Sequence, residues 1–193
     1  MSKRILLLLA ILTLSLAASA TTVDMQFNEA AGGSYNGVYT YPYNVSVDGQ
    51  NQLLMCVSYN EHIVNGETWQ ATVESIAGAH DQQLAWLFLQ AEQTGDFGVK
   101  ADINAAAWFL NEGTPDLSDA AMSWYNEAIS QNFTDGEFQN VVKYVPIDGT
   151  QSLQGEMPQE FLGDAPVPEP STLMMLGTGV LGAAAIVRRK IKA

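Results

Sequence analysis

One cysteine, Cys56, stands in the whole 193-residue chain, so no internal disulfide can staple the fold and stability must come from packing. Cations are almost as scarce. Of the eight Lys and Arg, six lie at the ends (Lys3, Arg4, Arg188, Arg189, Lys190, Lys192), leaving only Lys100 and Lys143 between positions 21 and 170. All 21 acids fall in that same stretch, which therefore carries a formal net charge of −19. Such a surface repels phosphate backbones, which excludes nucleic acid as a partner. It also repels anionic lipid and acidic polysaccharide unless divalent cations bridge them, and no D-x-[DN]-x-[DN]-G calcium loop is present. The simplest role for the acidity is solubility in a crowded exterior.

Chemistry-bearing motifs are missing too. The two histidines, His62 and His80, lack the i, i+3 or i, i+4 spacing to a second ligand that zinc motifs use, so neither a metal nor a cofactor is expected. There is no G-x-S-x-G, no HExxH and no Cys–His pairing. A carboxylate pair for glycoside cleavage carries little weight, because among 21 acids some pair falls close by chance. The residues therefore point away from an enzyme.

What is present is concentrated at the ends. Lys3-Arg4 precede an apolar run over residues 5–16, and Ala18-Ser19-Ala20 follows. A basic start, an apolar centre too short to span a membrane, and small residues at Ala18 and Ala20 make a secretory signal at 1–20, cut by signal peptidase after Ala20. At the other end, residues 171–187 carry no charge and would reach about 25 Å as a helix, near the lower limit for a bilayer core. Arg188-Arg189-Lys190 then form a basic stop that stays cytoplasmic. Both ends give one topology, with the acidic domain outside. Gly177-Thr178-Gly179-Val180-Leu181-Gly182 spells a dinucleotide fingerprint, but no βαβ unit can follow it, and the glycines suit close helix approach in a membrane instead.

Pro168-Glu169-Pro170, the Gly- and Ala-rich apolar segment and the terminal Arg188-Arg189-Lys190 occur in that order over residues 167–193. This tail resembles the PEP-CTERM sorting signal of Gram-negative bacteria. The resemblance implies recognition by exosortase, a membrane-embedded transpeptidase that cuts near Pro-Glu-Pro, and an association with exopolysaccharide and surface matrix. The two prolines hold the backbone around Glu169 extended and without donors, a presentable scissile strand just above the membrane.

Between the ends, about 150 residues suit one domain with a real core. Residues 21–33 read as a loose start. Residues 35–47 are β-like though broken by Pro42; Asp48-Gly49 marks a hairpin turn into an apolar run at 53–59, and Asn65-Gly66 precedes an alternating strand at 68–73. Helical periodicity follows over residues 79–94, 99–110 and 117–131, and residues 138–147 return to β character. The expectation is an α+β fold: an antiparallel sheet with about three packed helices over residues 21–147, a linker at 148–166, and one C-terminal transmembrane helix at 171–187.

One further pair stands out. Cys56 on a strand, and Ile103-Asn104-Ala105-Ala106-Ala107-Trp108-Phe109 on a helix, resemble the thioester domains of surface adhesins. There a strand cysteine attacks a helix glutamine, ammonia leaves, and the thioester acylates a host or matrix group. Asn104 stands where that family has glutamine, one methylene shorter, which puts the near-attack contact in doubt. A buried, inert Cys56 and a core-filling Trp108 account for the same residues. The sequence thus describes an exported, exosortase-processed surface or matrix protein with a structural or adhesive, non-enzymatic role, held in the inner membrane by its C-terminal helix until processing. The rivals are a covalent adhesin using Cys56 and Asn104, and a secreted glycan-active enzyme.

Overall fold

The computed structural model describes residues 21–147 and 157–166, together with Gly179. Strands β1 (Thr21–Ala30), β2 (Ser34–Tyr35), β3 (Val38–Tyr39), β4 (Tyr43–Val47), β5 (Gln50–Cys56) and β6 (Thr68–Ser75) come first. Helices α1 (Gly78–Gln93), α2 (Phe97–Glu112) and α3 (Asp119–Ser130) follow, and then β7 (Val141–Pro146) and β8 (Phe161–Asp164). Six strands close into an antiparallel barrel in the order β1-β4-β5-β8-β7-β6, and β2 and β3 form a separate small hairpin. The expected antiparallel sheet with three helices is present, and it is closed on itself.

The local reasons are conventional. Asp48 and Gly49 both adopt positive φ between Val47 and Gln50, the geometry of a two-residue hairpin matched to strand twist. Asp96 caps α2 by accepting from the N–H groups of Gly98 and Val99, and the left-handed Gly113 ends it. Ser118 caps α3 through Ala121 N–H.

Two layers of core meet at the β5–β8–β7 wall. Inside the barrel lie Leu54, Cys56, Tyr144 and Phe161, with Met25, Val45 and Trp69 from the opposite strands. Outside it Met55, Val57, Val141 and Leu162 pack against Leu84, Leu87 and Phe88 of α1 and Ile103 and Ala107 of α2. Burial on both faces is why Leu54-Met55-Cys56-Val57 reads as an unbroken apolar run. The barrel interior is narrow: a Cβ on Gly163 would collide with a methyl of Leu54.

Two expectations are corrected. The stretch 21–33 is largely the ten-residue strand β1, whose Val23, Met25 and Phe27 alternate into the barrel while polar residues face out. Part of the expected linker at 148–166 belongs to the domain: β8 pairs with β5 and β7 and closes the barrel. Among the described residues no helix is long and apolar enough to cross a membrane. The expected transmembrane helix at 171–187 apart from Gly179, the signal peptide with Ala18 and Ala20, Pro168-Glu169-Pro170 and Arg188-Arg189-Lys190 lie outside the described residues.

Candidate functional site

The structure brings Cys56 and Asn104 together, through main-chain atoms. Asn104 is fully buried on α2, where its Oδ1 accepts from Tyr41 N–H at 2.7 Å and its Nδ2 donates to the Cys56 carbonyl at 2.8 Å. The carboxamide thus rivets the helix to the barrel. The Cys56 thiol points into the barrel core and donates to the Ser58 carbonyl at 3.0 Å. Burial pushes its pKa up to about 12; the Ser58 backbone and the nearby Trp108 indole oppose the rise, and the charges of Glu112 and Glu61 add to it. The indole ring packs against Tyr59, with centroids 5.2 Å apart.

A thiol in this state is protonated and shielded, hence a poor nucleophile. Folded protein is expected to leave Cys56 unreacted with a disulfide reagent at neutral pH, and denatured protein to titrate one thiol. A thiol count of zero after denaturation would show that the sulfur is covalently engaged.

Beside this junction the last residue of α2 holds a loop in place. Glu112 Oε2 accepts from Tyr59 N–H at 3.1 Å, Asn60 N–H at 3.2 Å and the Asn60 side-chain amide at 2.6 Å. Burial lifts the Glu112 carboxyl above its ordinary 4.5, and the charge of Glu61 adds to the rise. Burial lifts Glu160 and Glu92 in the same direction. Lys143 opposes the rise at Glu160 and lies 3.9 Å from its carboxylate and 3.6 Å from that of Asp81.

A carboxyl with a raised folded-state pKa binds its proton more tightly when folded. Its stabilisation is complete below the unfolded value and is lost as pH rises through the folded one. The melting temperature is therefore expected to be higher near about pH 5 than near about pH 8, with Glu112→Gln reducing the difference. Thermal scans across that range check this, and a melting point that climbs with pH would contradict it.

The histidines stand apart. His80, on α1, lies 3.2 Å from Asn111 Oδ1, and His62 is exposed in the β5–β6 loop. Among the described residues no group of three or more His, Cys, Asp or Glu could hold a metal ion.

A cleft of about 770 Å³ lies between the β2–β3 hairpin, the β5–β6 loop and one end of the barrel. Phe27, Tyr43, Val38 and Ile63 supply apolar wall, and Glu29, His62, Asn65 and Gln159 supply polar groups. Tyr43 OH of β4 donates to the Tyr39 carbonyl and so pins the hairpin wall to the barrel, and Thr40 N–H donates to the Gly33 carbonyl at 3.1 Å across the base of the hairpin. Gly32 permits the approach, since a Cβ there would collide with the Thr40 carbonyl oxygen.

Sequence reasoning passed over both Gln159 and Glu112. Gln159 sat in the expected linker, with nothing local to mark it. Glu112 left a trace, because a carboxylate in the last turn of a helix opposes the dipole and asks for other partners.

Comparison with known proteins bears on the ends more than on the cleft. Residues 166–190 match the family model of a C-terminal protein-sorting signal, which sets the chain among proteins marked for export. That signal is the PEP-CTERM protein-sorting motif, and it implies processing by exosortase and signal peptidase. No curated protein matches the sequence. Among solved structures there is a weak match to the N-terminal thioester domain of a surface protein from Clostridium perfringens. It has 11% identity and a TM-score of 0.45, and covers 74% of this chain and 98% of that one.

Proposed function

We propose that the chain is a surface or extracellular-matrix protein with a structural, adhesive role, delivered by secretion and released or re-attached when exosortase processes its tail. The observation that carries this reading is the junction between domain and tag. β8 ends at Asp164 and the sorting motif begins at residue 166. Four residues from Asp164 to Pro168 span at most about 14 Å. What the tag presents is therefore the closed barrel itself, with no long stalk between them. The strongly acidic exterior, with two lysines against 21 acids, suits a protein that must stay soluble outside the cell.

Fractionating cells that produce the full chain tests the reading. The domain is expected in the surface or extracellular fraction, retained by the matrix, with no sugars released when the purified protein is incubated with that matrix. Released sugars would favour a glycan-active enzyme, and a cytosolic protein would remove the reading altogether.

A further inference from the structure

We propose that the cleft between the β2–β3 hairpin and the β5–β6 loop binds an uncharged saccharide ring. Gln159, one of the residues lining the cleft, carries an acceptor left unused among the described residues. Gln159 is only 3% exposed, and its Nε2 donates to the Glu61 carbonyl at 2.5 Å and the Ser58 carbonyl at 3.4 Å. These bonds fix the amide, and its Oε1 has no partner among the described residues. A buried acceptor of this kind costs free energy unless a donor from outside meets it. Glu29 adds a second acceptor and Asn65 both donors and acceptors, while Tyr39, 62% exposed and paired with Ser34 at the base of the hairpin, joins Phe27 and Tyr43 in the lining.

A sugar ring matches this division. Its hydroxyls donate to amide and carboxylate oxygens, and its C–H face lies on an aromatic ring. Charge decides against the acidic sugars. Both lysines of the exported stretch lie elsewhere, Lys143 paired with Asp81 and Glu160 and Lys100 over the rings of Tyr41 and Phe97. Glu29 would instead repel a uronate, sulfate or phosphate. Topology decides against a peptide strand: the closed barrel offers no edge, and β2 and β3, which wall the cleft, are two residues each, too short to template an added strand.

The proposal rests on the matrix reading only for where the sugar is met, so the two are tested apart. The exported protein, purified from producing cells, is run in native gels containing dextran, a β-glucan or a galactomannan, and in a gel containing alginate. Retardation is expected in at least one neutral gel and not in alginate. Tyr39→Ala should weaken it about tenfold, equivalent to about 1.4 kcal/mol. The Tyr39 carbonyl that anchors Tyr43 is main chain and survives that change. Leu53→Ala, at another exposed apolar position, outside the cleft, should leave retardation unchanged. No retardation in any neutral gel, equal retardation of Tyr39→Ala, or preference for alginate would overturn the proposal. A protein that binds none of these sugars but still reaches the surface would remove this site and leave the surface role standing.

Discussion

A chain cut after residue 147 is expected to lose its cooperative thermal transition, whereas one cut after Pro166 keeps it. The difference is β8. Phe161 pairs with Cys56 and Tyr144, and Leu162 with Met55 and Lys143, so this one strand satisfies the edges of both β5 and β7. Without it the barrel opens and two strands present unpaired backbone. Phe161 also stacks on Trp69 at 6.1 Å and meets Tyr43 edge-on at 5.7 Å, while Leu162 fills the layer beneath the helices. Phe161→Ala alone should cost about 3–5 kcal/mol. A domain of this size holds roughly 5–15 kcal/mol in total, so loss of the entire strand exceeds what the remainder can bear. Circular dichroism melts of the two truncations, with size exclusion for compactness, check this. A folded 21–147 fragment would show that the barrel closes without its last strand.

Asn104→Ala is expected to destabilise the domain by about 2–5 kcal/mol, well beyond the effect of Cys56→Ala. The side chain satisfies Tyr41 N–H and the Cys56 carbonyl, both in the interior. Removing it strands two main-chain groups, each costing about 1–3 kcal/mol. Cys56→Ala removes one weak S–H donor and leaves a small cavity, about 1–2 kcal/mol. Urea midpoints of the two variants give the comparison. A larger effect from Cys56→Ala would move the importance of this junction from the amide to the thiol.

The same junction shows what the sequence could and could not convey. The Asp48-Gly49 turn and the ends of the helices were legible, because a turn or a cap is settled by adjacent residues. β1 was harder, since Asp24, Gln26 and Asn28 between its inward apolar residues give it the look of a polar leader. β8 was harder still. Its two apolar residues are followed by Gly163 and Asp164, and only pairing with strands far away in sequence makes them a strand. Because β8 lay hidden, so did barrel closure, and with it the place of Gln159 in the lining of the cleft. Asn104 and Cys56 stand out in the sequence by residue type and by the pattern around them. Which of their atoms would meet depends on the depth at which α2 sits against the barrel, and no local pattern encodes that depth.

The tail carries the account of where this protein goes, and an intact mass of the mature product from an exosortase-bearing producer tests it most directly. The predicted product begins at Thr21, ends near Pro168-Glu169-Pro170 and lacks Arg188-Arg189-Lys190, recovered outside the inner membrane. A single species running from Met1 to Ala193, found in the cytosol of that same producer, would contradict it.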